Sequence, residues 1–242
     1  MATPKTVRPL LRGPIYIKPP SLSQRRTFLP NPFSSSINPL NSSAQPQTLT
    51  ARRTLPYPSH PIYSIVSDVS SYSSFLPYCQ SSAVTKWSTP DPTYQRRWPS
   101  EARLIVGWGN LTESFTSRVF CVPGRIVESI GGSTETEIPK GEISHHLNDS
   151  DKSAKGASDG LMTHLRSRWT IEALGKDKTE VTLALEFVFA NPLYTTLSAG
   201  AAPKVADAMI KAFEERVTSL LNGNPAMGTA SLGDLEGSKI KR

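Results

Sequence analysis

The chain has 242 residues, enough for one sizeable domain with tails, and its 37% apolar content is low for a sequence folded throughout. The net charge of +7 invites a nucleic-acid reading, but Lys5, Arg8, Arg12, Lys18, Arg25 and Arg26 supply six of it, so residues 51–242 carry only +1 and little drive toward a polyanion. Two cysteines, Cys79 and Cys121, make neither a disulfide framework nor a metal cluster, and no run approaches the roughly 20 apolar residues of a membrane span.

The first 50 residues read as a leader. They hold no Asp or Glu, the first acidic residue of the chain being Asp68, and they are rich in Ser and Pro. Basic, Ser-rich and acid-free is the composition of a mitochondrial transit peptide, drawn by an inside-negative potential; the alternative reading is a disordered basic N-terminal arm. The prolines limit any presequence helix to short pieces.

The domain follows. Arg52 to Pro56 is expected as a short strand. Ser59 is placed to cap a helix with Pro61 in its first turn, and Ile62, Ile65, Val66 and Val69 supply its apolar face. Tyr72, Phe75 and Leu76 continue as further helical turns up to Pro77. From Cys79 the period changes to two: strands are expected over 79–87, 101–109, 111–122 and 125–130, with a turn-rich loop over 88–100. Both cysteines lie in apolar surroundings and read as reduced, buried small hydrophobes.

Residues 131–160 are polar and without period and read as a disordered insertion in a hairpin. Strands resume over 161–171 and 179–189, where Val181, Leu183, Leu185, Phe187 and Phe189 alternate with polar neighbours. Asn191-Pro192 then opens the longest helix, to about Leu221. Its apolar stripe is read as Leu193, Leu197, Ala201, Val205, Met209, Phe213, Val217 and Leu220, with Pro203 as an internal irregularity. The tail 222–242 loses periodicity and is expected to be disordered. The class is α+β: an antiparallel sheet of about six or seven strands whose apolar face is covered by the long C-terminal helix.

Three stretches, RRTLPYPSHPIYSIVSDVSSYSSFLPYCQSSAVTKW, EARLIVGWGNLTESFTSRVFCVPGRIVES and LEFVFANPLYTTLSAGAAPKVADAMIKAFEERV, resemble the mitochondrial coenzyme Q-binding protein family of the START-like, polyketide cyclase-related superfamily. The resemblance covers Arg53 to Leu221 apart from the 131–160 insertion. It implies a helix-grip fold, with the sheet curved around the long helix, and a hydrophobic tunnel that takes ubiquinone (coenzyme Q) as bound ligand. It implies no catalytic cofactor, and a chaperone or carrier role supporting respiration and ubiquinone biosynthesis. The implied location is the matrix side of the mitochondrial inner membrane, held peripherally, with quinone-biosynthesis or respiratory complexes as candidate partners and no nucleic acid.

For chemistry the residues offer little: there is no phosphate loop and no nucleophile elbow. His145-His146 tempts as a metal pair, but adjacent side chains diverge in an extended chain and no third ligand accompanies them, so they read as solvated loop histidines. Ligand-lining candidates are Phe75, Leu104, Val106, Trp108 and Phe115 from the first half of the domain. Trp169, Leu185, Phe187, Leu197, Val205 and Met209 follow from the second. Each would be core in an ordinary domain. Glu113 shares a face with Phe115 and Val119, where a carboxylate is costly unless paired. It is either a headgroup partner or an exposed or salt-bridged strand-end residue. No catalytic residue and no metal ligand is assigned. Two other readings stay open: a cyclase-like enzyme using Glu113 with Tyr72 or Arg118, and a ribosome- or RNA-associated module with Arg96, Arg97, Arg118, Arg166 and Arg168 as a basic face.

Overall fold

The structure, a computed structural model, describes residues 46–108, 111–147, 162–191, 194 and 202–235. Its strands are β1 (Gln47–Leu55), β2 (Cys79–Trp87), β3 (Pro99–Trp108), β4 (Leu111–Val122), β5 (Ile126–Gly132), β6 (Met162–Gly175) and β7 (Lys178–Phe189). They form one antiparallel sheet in the spatial order β1-β7-β6-β5-β4-β3-β2. Between β1 and β2 come helix α1 (Ser59–Ser67) and a 3-10 segment (Val69–Ser74). Helix α2 (Ala202–Gly223) and a short α3 (Pro225–Thr229) follow β7.

Period-two alternation sends one set of side chains toward α2. The register aligns Leu183, Trp169, Val127 and Cys121 in a single row across β7, β6, β5 and β4, and all four are buried. Against them α1 buries Ile62, Ile65 and Val66, and α2 buries Ala206, Ile210, Phe213, Val217 and Leu221. Removing these side chains from water is the main stabilisation, at about 25 cal/mol per Å² of apolar surface.

The buried line of α2 thus differs from the stripe read in sequence. Val205, Met209 and Leu220 are half-buried flanks, while Ala206, Ile210 and Leu221 lie inward with Phe213 and Val217. The face is set by what α2 packs on, and Ile210 fits the 4-3-4-4 spacing of 206, 210, 213, 217 and 221. The start of the expected helix, with Pro192, Leu193 and Leu197, lies outside the described residues. Ser59 is the first helical residue and not the cap, which falls to Pro58. β1 begins at Gln47, inside the segment read as leader, and pairs with β7 along its whole length.

Two segments expected to lack structure are packed. Within the supposed 131–160 insertion, Gly131 and Gly132 still belong to β5, and residues 133–147 fold over the outer face of the sheet. There Ile138 and Ile143 join Phe120, Val122 and Ile130 in a second small core. The polar residues around them are used as partners: Arg166 donates to the Glu135 carbonyl at 2.8 Å and to Glu137 at 3.0 Å, and Arg118 donates to the Thr134 carbonyl at 2.8 Å. Residues 148–161 lie outside the described set. In the tail, Met227, Leu232 and Leu235 are buried in the main core. A few apolar anchors in a polar segment suffice to pin it, and no long helical or strand period is needed for that.

His145 and His146 are likewise not solvated; they are 4% and 5% exposed beneath this flap. The Cys121 N–H donates to His146 Nε2 at 2.9 Å, so Nε2 carries the lone pair and Nδ1 the proton, which goes to Ser100 Oγ at 2.7 Å. Burial, reinforced by the neighbouring His145, pushes the His146 pKa down to about 3. Burial also lowers that of His145.

Candidate functional site

The inward face of the sheet has two unlike halves. The first is closed. Phe213 of α2 stands at its centre, with ring centroids 4.2 Å from Trp169, 5.2 Å from Tyr72 and 4.9 Å from Phe75. Tyr72 is fixed by donating its hydroxyl to the Val66 carbonyl, and Arg216 lies over the Phe75 ring.

The second half lies further along each strand. Leu104 pairs with Phe115, Val106 with Glu113, and Phe187 with Leu165. By alternation all point the same way as Trp169 and Val119. Yet Leu104, Val106, Phe115, Leu165 and Leu185 are only half-buried, and so are Val205 and Met209 on the flank of α2. Phe187 is more enclosed and packs edge-on against Phe189 at 5.3 Å. These inward-facing apolar side chains keep some contact with solvent, whereas those of the closed half do not.

Of the candidates named from sequence, the structure brings Leu104, Val106, Glu113, Phe115, Leu185 and Phe187 onto this one surface. Trp169 bounds it from the closed half. Phe75 instead joins Leu76, Pro77, Ala208, Ala212 and Glu215 around an open cleft of about 410 Å³ between the 3-10 segment and α2. The cleft is broad and has Ser73, Ser74 and Lys211 on its walls, so the half-open sheet face is the better candidate site. Leu197 and the side chain of Trp108 lie outside the described residues.

Glu113 lies on the inward face, half-buried, and among the described residues no side chain pairs with its carboxylate. The acid-base partners considered for it are engaged elsewhere. Tyr72 is committed to the Val66 carbonyl, and Arg118 points to the opposite face of the sheet. The arginines considered as a basic face are largely held inside the molecule. Arg168 donates to the fully buried Glu128 at 2.8 Å, Arg166 reaches Glu137 and Glu186, and Arg96 donates to the Leu232 carbonyl at 3.1 Å and covers Trp98. Arg97 is exposed. Among the described residues no group of His, Cys, Asp and Glu is arranged to hold a metal, and no helix is long and apolar enough to cross a membrane.

Sequence reasoning passed over three inward serines at the boundary between the halves, Ser117, Ser129 and Ser167. Their signal was present in the alternation Phe115-Ser117-Val119, Val127-Ser129-Gly131 and Leu165-Ser167-Trp169.

A seven-stranded antiparallel sheet gripping a C-terminal helix, with half-buried apolar side chains along part of its inward face, defines a START-like helix-grip domain. The match to solved structures agrees: a START superfamily protein from Mycobacterium smegmatis superimposes with a TM-score of 0.52 at 18% identity, covering 72% of this chain and 98% of that one. The model of the family described as polyketide cyclase / dehydrase and lipid transport matches residues 55–214. The chain belongs to that family. One relative is the mitochondrial coenzyme Q-binding protein coq10 of Schizosaccharomyces pombe, 29% identical over 69% of this chain and 84% of that protein. Another is the ribosome association toxin RatA of Pseudomonas aeruginosa, 28% identical over 69% of this chain and 92% of that one.

Proposed function

We propose that the domain binds coenzyme Q without turning it over and acts as its chaperone or carrier on the matrix side of the mitochondrial inner membrane. The observation that carries this is the row of inward, half-buried apolar side chains, Leu104, Val106, Phe115, Leu165 and Leu185, beyond the Trp169–Phe213 contact. The names of the relatives that are coenzyme Q-binding proteins, and the acid-free leader, support the ligand and the compartment. Burying a polyprenyl tail contributes about 0.8 kcal/mol per methylene against water. The competing environment is a bilayer in which the tail is already dry, so transfer of the tail is close to neutral, as a carrier that must release its cargo requires.

The test is extraction of the full chain, purified from a quinone-containing host, with organic solvent and mass spectrometry of the extract. Near-stoichiometric ubiquinone, strongly reduced in a folded Val106→Trp variant, is the expected result. A folded, monodisperse protein without quinone would overturn the ligand.

A second reading, ribosome association, rests on the similarity to RatA. The engagement of Arg96, Arg118, Arg166 and Arg168 in internal bonds weighs against it. Steeply salt-dependent RNA binding by the chain would restore it.

A further inference from the structure

The half-open face has a polar floor. Ser117 is 2% exposed and its Oγ is buried with no hydrogen-bond partner. A buried hydroxyl left unmade costs about 1–3 kcal/mol, so such groups are rare unless something completes them. Ser129 and Ser167 are Cα partners across β5 and β6, and Val119 opposite Ser129 places Ser117 on the diagonal beside it. Neither Ser129 nor Ser167 has a hydroxyl partner among the described residues, and both are half-buried.

The surroundings are small. Ser117 lies opposite Ala102, and a Cβ built on Gly131 would meet Leu165 Cβ at 3.6 Å and Ser117 Oγ at 3.8 Å, so Ala102 and Gly131, the neighbours of Ser117 on the adjoining strands, carry no bulky side chain. On one side the strands run into Trp169 and Val127 of the closed half. On the other they run into the apolar set Leu165, Phe115 and Leu104.

Resting on the ligand reading above, the geometry points to Ser117, Ser129 and Ser167 as the subsite that receives the oxygens of a substituted benzoquinone or quinol ring. The headgroup enters first and lies against the closed half, and the isoprenoid tail leaves over Leu104, Phe115 and Leu165. A hydroxyl both donates and accepts, so the same floor serves a quinone carbonyl and a quinol hydroxyl. The subsite takes the headgroup in either redox state.

The experiment titrates the full chain with decylubiquinone, a short-tailed quinone, and with squalene, an isoprenoid hydrocarbon without a headgroup. It compares wild type with Ser117→Ala and with the triple variant Ser117→Ala, Ser129→Ala, Ser167→Ala. Each lost neutral hydrogen bond weakens decylubiquinone binding by roughly fivefold, and the triple variant by roughly a hundredfold, while squalene binding is unchanged. Thermal unfolding without ligand is the second readout. Ser117→Ala keeps or raises the midpoint, because the hydroxyl it removes has no protein partner; a lowered midpoint would assign Ser117 a structural role and overturn the subsite. Equal decylubiquinone affinity in wild type and triple variant would also overturn it while leaving quinone binding intact. No decylubiquinone binding by wild type would take down the ligand reading and the subsite together.

Discussion

Stability should fall with acidification through His146, by an amount the structure sets. The ring is neutral in the folded protein, with Nε2 accepting from Cys121 and Nδ1 facing Ser100, and a proton on Nε2 would set donor against donor. Its folded pKa is about 3, against 6.5 for the unfolded chain. A depressed histidine pKa means that the unfolded state binds the proton first. The stability contribution is therefore complete above about pH 6.5 and is lost progressively as pH falls toward about 3. Between pH 7.5 and pH 5 the loss from this one group is about 2 kcal/mol, with a limiting slope of about 1.4 kcal/mol per pH unit. His145, also lowered by burial, adds to the slope in the same direction.

The Asp91 carboxylate does not enter this window. Burial works against its charge, but the backbone N–H groups of Thr93, Tyr94 and Arg96 and the Trp98 indole outweigh it and hold its pKa below the usual carboxylate range. Its contribution is present above the ordinary Asp pKa and is lost only as pH falls below it. The assay is urea unfolding followed by tryptophan fluorescence at pH 7.5, 6 and 5, for wild type and His146→Gln. The variant should be less stable at pH 7.5 and flatter by about 2 kcal/mol across the interval. A variant with the wild-type slope would refute the assignment.

Glu128→Ala should cost about 3–5 kcal/mol in the same denaturation assay, because it strands Arg168 and Arg166 beside a buried, fully enclosed site. Leu232→Ala should cost about 2–5 kcal/mol despite lying in an aperiodic tail; a change under about 0.5 kcal/mol would show that the tail is not part of the core. Glu113→Ala should leave stability within about 0.5 kcal/mol, since no described group pairs with it, while lowering retained quinone; wild-type retention by mass spectrometry would remove Glu113 from the site.

The fold class was legible because alternation is a local property. Val181 to Phe189 declares its inward residues without reference to anything else in the chain. What alternation does not carry is position along the inward face. Trp169 and Leu165 are two residue pairs apart on the same side of β6, yet one is buried against Phe213 of α2 and the other is half-buried. Core and lining residues therefore share one sequence signature. The flap over the outer face was missed for the converse reason. Its order comes from Ile138 and Ile143 inserting beside Phe120 and Ile130 and from arginines on β4 and β6 finding carbonyls and carboxylates. None of these leaves a periodic trace. His145 and His146 followed the flap, read as solvated only because their segment was.

Those two faces divide the work of the sheet. On the outer face Glu128 is held by Arg168 and Thr136, and the flap covers it. On the inner face the closed half supplies the rigidity and the open half leaves apolar surface and Ser117 unsatisfied. An orphan hydroxyl beside half-buried leucines costs stability, a cost that a headgroup bound as proposed would relieve. On the proposed quinone-binding reading, a tail whose transfer from the bilayer is near neutral leaves selection to the headgroup. Three neutral hydrogen bonds at about 1 kcal/mol each give roughly a hundredfold preference for an oxygenated ring over a bare isoprenoid. That is enough to choose the cargo from a membrane and too little to hold it irreversibly.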